Sequence, residues 1–382
     1  MARPHQQRRL MAADAREIGD RALSHCPVSH DQGSWTVWGN EEARRVAEDP
    51  ETYSSRVSAH LSVPNGMDGE LHGQFREVVD RYLSDAVILP LYPSFERIAE
   101  TAYASLGDEF DGNEFGRIVA VRCQSAWLGW DPSYEEELLA WITANRDATR
   151  SGDRRRTAAV AADFTAIIRR ILIDHRLHRR DDPTSSLMAD TVTISGFERA
   201  LTEEEIVSIL RNWTSGDLGS IASAIGVVAH FLATHQSIAD ELRDQIDNPR
   251  ALDLALDEML RIDDPFVSNR RITTRSASLG GCEIPARSRV TIHWTSANRD
   301  PRAFGYPDGY DPCGHQSRNL VYGAGPHACP GRTLSTLELR GALVAMLRGG
   351  DLALTGACER ERIPVGGWAK VPVRRTPRPV SL

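Results

Sequence analysis

Between Leu201 and His235 apolar side chains recur at helical spacing. Ile206, Ile209, Leu210 and Trp213 fall three or four residues apart, the stripe of a helix with one buried face. Ahead of them stand Thr202 and Glu205, a Thr-x-x-Glu pair in which each side chain satisfies the other's backbone N–H, so the helix is predicted to begin there. A second helix is predicted over Pro249–Ile262, with Pro249 in its first turn. Gly69–Ile88 and long stretches between Pro93 and Arg179 carry the same periodicity, and a last helix is predicted from near Cys329 to Arg348. Period-two alternation is confined to Ser34–Gly39 and to Arg271–Pro301. Asn40 is read as the cap of a short helix after the first strand. The run Arg150–Arg156 is read as a solvated loop, and residues 1–20 as a frayed tail. The outline is mainly α, with a minor sheet drawn from both ends of the chain.

Composition narrows the class without naming a chemistry. Apolar residues make up 41% of the 382 and charged ones 26%, which is globular composition. With 45 basic against 53 acidic side chains there is no basic excess to hold a phosphate backbone, so nucleic acid is not expected as a partner. No run of about 18 apolar residues stands out, so no membrane span is predicted. The opening residues lack the apolar core of a secretory signal. A soluble, cytoplasmic protein is expected. Six cysteines spread over so long a chain do not make a disulfide framework, and most are expected to be reduced and buried.

Two segments do not fit a plain core. Thr214–Gly226 puts Gly216, Gly219 and Gly226 inside the long helix, each at a cost of about 1 kcal/mol against alanine. Either another helix packs closely there, or a flat ligand lies against the backbone. The second segment is Tyr322–Arg332, whose glycines and prolines hold a tight loop. Cys329 sits where that loop turns into a helix, and a helix N-terminus favours a thiolate. A thiolate in such a nest of amides suits a metal, and the glycines let a planar macrocycle approach.

This loop resembles the haem-binding loop of the cytochrome P450 family, F-G-x-G-x-H-x-C-x-G. Tyr322 stands in the Phe place, and Gly323, Gly325, His327, Cys329 and Gly331 match. Glu258-x-x-Arg261 matches the family's E-x-x-R helix, His72-x-x-x-Arg76 its H-x-x-x-R helix, and Arg271 the arginine of its R-x-x-T strand. The resemblance implies one domain over 21–382, a triangular prism of helices with small sheets. It implies haem b with Cys329 as axial ligand, and His72, Arg76, Arg271 and His327 on the propionates. Two departures stand out. Gly309 occupies the place of the arginine that usually joins Glu258 and Arg261, which leaves His315 or Arg318 for that position. The family's acid–threonine pair on the long helix has no plain match. One register puts Leu218 and Gly219 there and the other Gly219 and Ser220, so Asp217, Ser220 and Thr214 are the candidates for proton delivery, beside Gly216 at the haem.

The resemblance implies a monooxygenase that oxidises a small organic molecule, such as a natural-product intermediate. Its electrons would come from a ferredoxin and ferredoxin reductase or a similar donor. The substrate would lie among the 55–70 loop, Trp213–Ser220, Pro265–Asn269 and Val365–Trp368. A peroxide-driven or coupling haem enzyme, or a non-catalytic partner that keeps the fold, is the alternative. A zinc site made of Cys313, His315, His327 and Cys329 is a further reading, and it leaves His72, Arg76 and Arg271 without a role.

Overall fold

A computed structural model describes residues 14–378 apart from Ala59. The chain opens with α1 (Ala15–Leu23), the hairpin β1 (Val28–Asp31) and β2 (Ser34–Val37), α2 (Asn40–Glu48) and the short β3 (Tyr53–Ser54). Next come α3 (Gly69–Leu83), α4 (Asp85–Ile88), α5 (Tyr92–Ser105), β4 (Glu109–Asp111) and α6 (Gly112–Leu128). The middle holds α7 (Glu135–Ser151), α8 (Arg154–Leu177), α9 (Pro183–Met188), the hairpin β5 (Thr191–Ile194) and β6 (Phe197–Ala200), and the long α10 (Glu203–Thr234). After α11 (Gln236–Asp244) and α12 (Pro249–Ile262) lie β7 (Ser268–Thr273), the hairpin β8 (Ala277–Leu279) and β9 (Cys282–Ile284), and β10 (Arg289–His293). The short α13 (Trp294–Ala297) and α14 (Pro301–Phe304) lead into the loop before α15 (Arg332–Arg348). The last strands are β11 (Asp351–Leu354), β12 (Glu359–Arg360), β13 (Trp368–Lys370) and β14 (Pro372–Thr376).

The principal sheet runs β1-β2-β10-β7-β3, so strands from residues 28–54 pair with strands from 268–293. Both ends of the chain supply it, as the alternating runs predicted. A helical body carries the larger core, and the sheet has its own.

The long helix starts as predicted. Thr202 Oγ1 accepts from the Glu205 N–H at 3.2 Å, and the Thr202 N–H donates to Glu205 Oε2 at 2.8 Å. It is long and apolar enough to cross a bilayer, which the sequence reading did not register, yet 67% of its most apolar window is buried in the fold. Its glycines divide into two kinds. A Cβ on Gly226 would fall 2.2 Å from Asn113 Oδ1 of α6, and one on Gly116 of α6 would fall 2.4 Å from the Ala222 carbonyl oxygen. These positions serve close packing. Gly216 and Gly219 have nothing within 4 Å and leave space. Close packing thus accounts for Gly226, and of the other two Gly216 alone opens on a cavity.

Four expectations need correction. The boundary at residue 20 falls inside α1, which is docked rather than frayed: Arg299 bonds both Asp20 and Asp308, each at 2.8 Å. Residues 1–13 of the expected tail lie outside the described residues. Asn40 does not cap α2. It follows the N-cap Gly39 and spends its amide on the Ala297 and Arg318 carbonyls, 3.0 Å each. Arg154–Arg156 belong to α8, started by Asp153, whose carboxylate accepts from the Arg155 N–H at 2.8 Å, so the expected loop shrinks to residues 152 and 153. Of the six cysteines only Cys123 is buried, and all six are free.

Candidate active site

The loop ahead of α15 is held by its own backbone and by contacts from across the fold. The Cys329 N–H donates to the Tyr322 carbonyl at 2.9 Å and the Ala328 N–H to that of Gly325 at 3.0 Å. Gly323 and Gly325 adopt φ of 71° and 69°, conformations an L side chain resists. At Gly325 a Cβ would also lie 2.4 Å from the Ala47 carbonyl oxygen, so α2 fixes the loop from behind. Tyr322 points its hydroxyl to Thr336 at 3.3 Å, beneath the Arg332 guanidinium.

Cys329 therefore presents its sulfur at a chosen place. It lines a cavity of about 1510 Å³ of empty space, mouth included, and is the only cysteine to do so among the described residues. Although its surface opens on the cavity, its depth within the fold desolvates the thiol and pushes it up to about 11, outweighing the Gly331 N–H that favours the thiolate. A bound metal reverses that balance, because a coordinated thiol gives up its proton.

Arg271, at one side of the cavity, is a cation without a counter-ion. The residue is 7% exposed, and the hydrogen bond found for its guanidinium runs to the neighbouring Arg270 carbonyl at 2.9 Å. Among the described residues no carboxylate lies within 4.0 Å of it. An unbalanced buried charge costs several kcal/mol, so the site calls for an anion. Beside it, His327 leaves Nε2 without a hydrogen-bond partner, 3.4 Å from Asp68. His72 stacks on His327 with ring centroids 4.1 Å apart. Burial, helped by His72 and Arg271, lowers His327 to about 4 despite the nearby Asp68, so the ring is neutral in the cavity. A haem carboxylate fits this set on chemistry and on position. Arg76 does something else: its Nε bonds Asp80 at 2.9 Å, and its Nη1 reaches the Pro326 and Ala328 carbonyls at 3.2 and 3.1 Å. It braces the cysteine loop from α3, and neither Arg76 nor His72 lines the cavity.

Removing the Arg271 cation is expected to loosen the cofactor. Arg271→Ala should lose haem on gel filtration or to an apo-myoglobin scavenger at least about tenfold faster, since a charge-assisted hydrogen bond is worth about 1.5–3 kcal/mol. Unchanged loss in Arg271→Ala would place the propionates elsewhere.

The opposite wall comes from α10. Gly216, Asp217, Ser220 and Trp213 all line the cavity. The expected Asp217–Ser220 link is not formed. Ser220 donates to the Gly216 carbonyl at 2.6 Å, the back-bond common for a mid-helix serine. Thr214 likewise bonds the Leu210 carbonyl at 2.7 Å, is wholly buried, and does not face the cavity. Asp217 turns instead toward α15 and α6. Ser335 donates to it at 3.0 Å, and Gln124 donates to it. Gln124 also reaches Glu338 at 3.3 Å, whose Oε2 has no hydrogen-bond partner. Burial pushes both carboxyls up, Glu338 further through the Asp217 charge, so both are inclined to the protonated form. Glu338 and Gln124 were missed from sequence. The available signal was Glu338 itself, an acid inside the apolar run of the last helix. Asp264, on the same cavity wall, is a second omission; burial lifts it to about 8.

Of the expected substrate border, Pro64 and Asn65, then Trp213, Gly216, Asp217 and Ser220, and Pro265, Phe266 and Asn269 line the cavity, whereas residues 365–368 do not. Trp127, unforeseen, pairs with Trp213 at 5.2 Å between centroids, and both indole N–H groups lack a partner. The zinc reading fails, because among the described residues no three His, Cys, Asp or Glu side chains come together to hold a metal. His315 is taken up by Glu258, Nδ1 to Oε1 at 2.7 Å, and so completes the Glu258–Arg261 cluster in the place Gly309 vacates. Arg318 bonds the Ala303 carbonyl instead.

Comparisons with known proteins agree with this geometry. The family model for Cytochrome P450 matches residues 144–356, more than half of the chain. The erythromycin C-12 hydroxylase of Saccharopolyspora erythraea is 28% identical over 353 residues, 88% of this chain and 87% of that one. The probable cytochrome P450 127A1 of Sinorhizobium fredii is 28% identical over 320 residues, 81% and 74% of the two chains. The solved structure of open cytochrome P450 EryK from S. erythraea superposes with a TM-score of 0.83 at 26% identity, covering 95% of this chain and 96% of that chain.

Proposed function

The chain belongs to the cytochrome P450 family, and from that premise we propose a haem-thiolate monooxygenase in which Cys329 is the axial ligand and Arg271 and His327 hold the propionates. The supporting observation is that one cavity holds both a free thiol at Cys329 and a buried guanidinium at Arg271 that no carboxylate among the described residues contacts, Asp68 acting on it only from beyond 4.0 Å. Haem bound there supplies dioxygen activation, with electron density from the thiolate favouring O–O cleavage.

The chain's own residues do the rest. Gly323 and Gly325 bend the loop so that Cys329 Sγ faces the cavity, and Gly331 N–H donates to it. Gly216 leaves open space on the wall of α10 between Trp213 and Ser220. The Asp217–Glu338 pair, gripped by Gln124 and Ser335, holds an exchangeable proton at the wall where α10 meets α15. We assign proton supply to this pair, with Asp217 the member facing the cavity. The substrate is a multi-ring or macrocyclic natural-product intermediate, received between Trp213, Phe266, Asn269 and Pro64. Support comes from the relatives, whose names include an erythromycin C-12 hydroxylase and a cyclomarin C epoxidase. Electrons come from a separate redox protein of the ferredoxin kind.

A comparison of two substitutions tests the proton assignment. Asp217→Asn should divert reducing equivalents to hydrogen peroxide, with product per electron pair falling about a hundredfold, the lower end of the range for a lost proton donor. Ser220→Ala, whose hydroxyl is spent on its own helix, should keep coupling within about twofold of the parent. The reverse pattern would restore the serine as the relay and remove the dyad from the mechanism.

A further inference from the structure

Two of the free thiols stand together far from the cavity. Cys26 follows α1 and its N–H is held by the Ala22 carbonyl at 3.0 Å. The next residue is pinned as well, since the Pro27 carbonyl accepts from Trp38 at 2.8 Å and Gly39 at 3.2 Å. Cys282 is held from the other side. It opens β9 and pairs with Leu279 in the β8–β9 hairpin. The tip of that hairpin leans on the segment after Cys26: a Cβ on Gly280 would lie 2.7 Å from Val28 Cγ2, and Cys282 Sγ is 3.9 Å from the Val28 carbonyl oxygen. Cys282 Sγ thus lies against the backbone two residues along the chain from Cys26, and burial together with the neighbouring Cys26 side chain pushes its thiol up. Both residues are partly exposed and neither lines the cavity, so small oxidants reach them.

We propose that Cys26 and Cys282 are a redox modification site, closing to a reversible disulfide when the protein meets hydrogen peroxide. One sulfur attacks a peroxide oxygen as its thiolate, the O–O bond breaks, and a sulfenic acid and water result. The second sulfur attacks the sulfenic sulfur, the S–O bond breaks, and a second water leaves. In sum two thiols and one peroxide give one disulfide and two waters. Cys26 is held by backbone hydrogen bonds and Cys282 by its hairpin, and the two segments already pack on one another, so neither must unfold for the bond to form. Nothing comparable holds for the other cysteines: Cys123 is buried in the helical core, and Cys329 faces the cavity. The bond would tie residues 26 and 282 across the sheet, restraining the amino-terminal segment and the hairpin together.

The test is oxidation of the haem-loaded protein by hydrogen peroxide, and in parallel by diamide, followed by peptide mapping without reductant. The expected result is a loss of two titratable thiols per chain and one linked peptide pair containing Cys26 and Cys282, both reversed by dithiothreitol. Oxidation should also raise the melting temperature by a few degrees. Cys26→Ser and Cys282→Ser should each abolish the link and the shift, and Cys358→Ser should preserve both. The proposal is overturned if Cys26 and Cys282 both remain open to iodoacetamide after oxidation, or if either is found linked to a different cysteine.

Discussion

Cys329→Ala is expected to abolish the red-shifted absorption band of the ferrous carbonyl form and, with it, all monooxygenase turnover. The band reports a thiolate opposite carbon monoxide, and among the described residues no other cysteine lines the cavity. Haem retained by Arg271 and His327 in the variant would carry a different axial ligand and absorb at shorter wavelength. Cys313→Ala should leave the band intact, since Cys313 is exposed and outside the cavity. A surviving band in the first variant, or its loss in the second, would reverse the assignment.

Arg261→Ala should be the most destabilising single change in the helical body. The guanidinium is 0% exposed. It forks onto Glu258 at 2.8 and 2.9 Å, and also serves the carbonyls of Asn298, Pro307 and Gly309. Its removal leaves the buried Glu258 carboxylate with only His315 and the Asp311 N–H, and takes the donor from three carbonyls at once. Breaking such a pair costs about 3–5 kcal/mol, a large part of the about 5–15 kcal/mol that holds an ordinary fold together. Urea unfolding should show the loss, and most of the chain should be recovered without haem. Replacing both partners, Glu258→Leu with Arg261→Met, should be milder than the single change, because no charge is left uncompensated. A loss below about 1 kcal/mol in Arg261→Ala would mean that the cluster does not hold the segment 298–315 in place.

Much of this was readable from sequence, for identifiable reasons. Helix ends set by local chemistry were found within a residue or two: the Thr202–Glu205 box and Pro249 act on their own neighbours and need no knowledge of the fold. The cysteine loop was legible because glycines and a thiol at fixed spacing leave few alternatives. Asn40 misled because its side chain answers partners some 260 residues away, which no local rule sees. Arg76 misled in the same way, its helical spacing to His72 being correct and its target a matter of tertiary contact. The proton site was only half legible. Asp217 was singled out, but its partners Gln124, Ser335 and Glu338 come from two other helices, and they decide that it turns away from Ser220. Burial of the Arg271 cation could not be read at all, being a property of the cavity.

The division of glycines along α10 has a consequence for how such a chain can diversify. Where α10 meets α6, at Gly226 and Gly116, even one added methyl meets backbone or a buried amide, so these positions are closed to variation by steric necessity. At Gly216 and Gly219 the same methyl meets empty space. Descendants of this sequence are therefore free to remodel what the cavity admits by adding a side chain at Gly216, which lines it, on the same helix as contacts they must keep unchanged. A single helix thus offers adaptation at one end while guarding the architecture at the other, and a library built on residue 216 would sample new substrates without drawing on the stability of the fold.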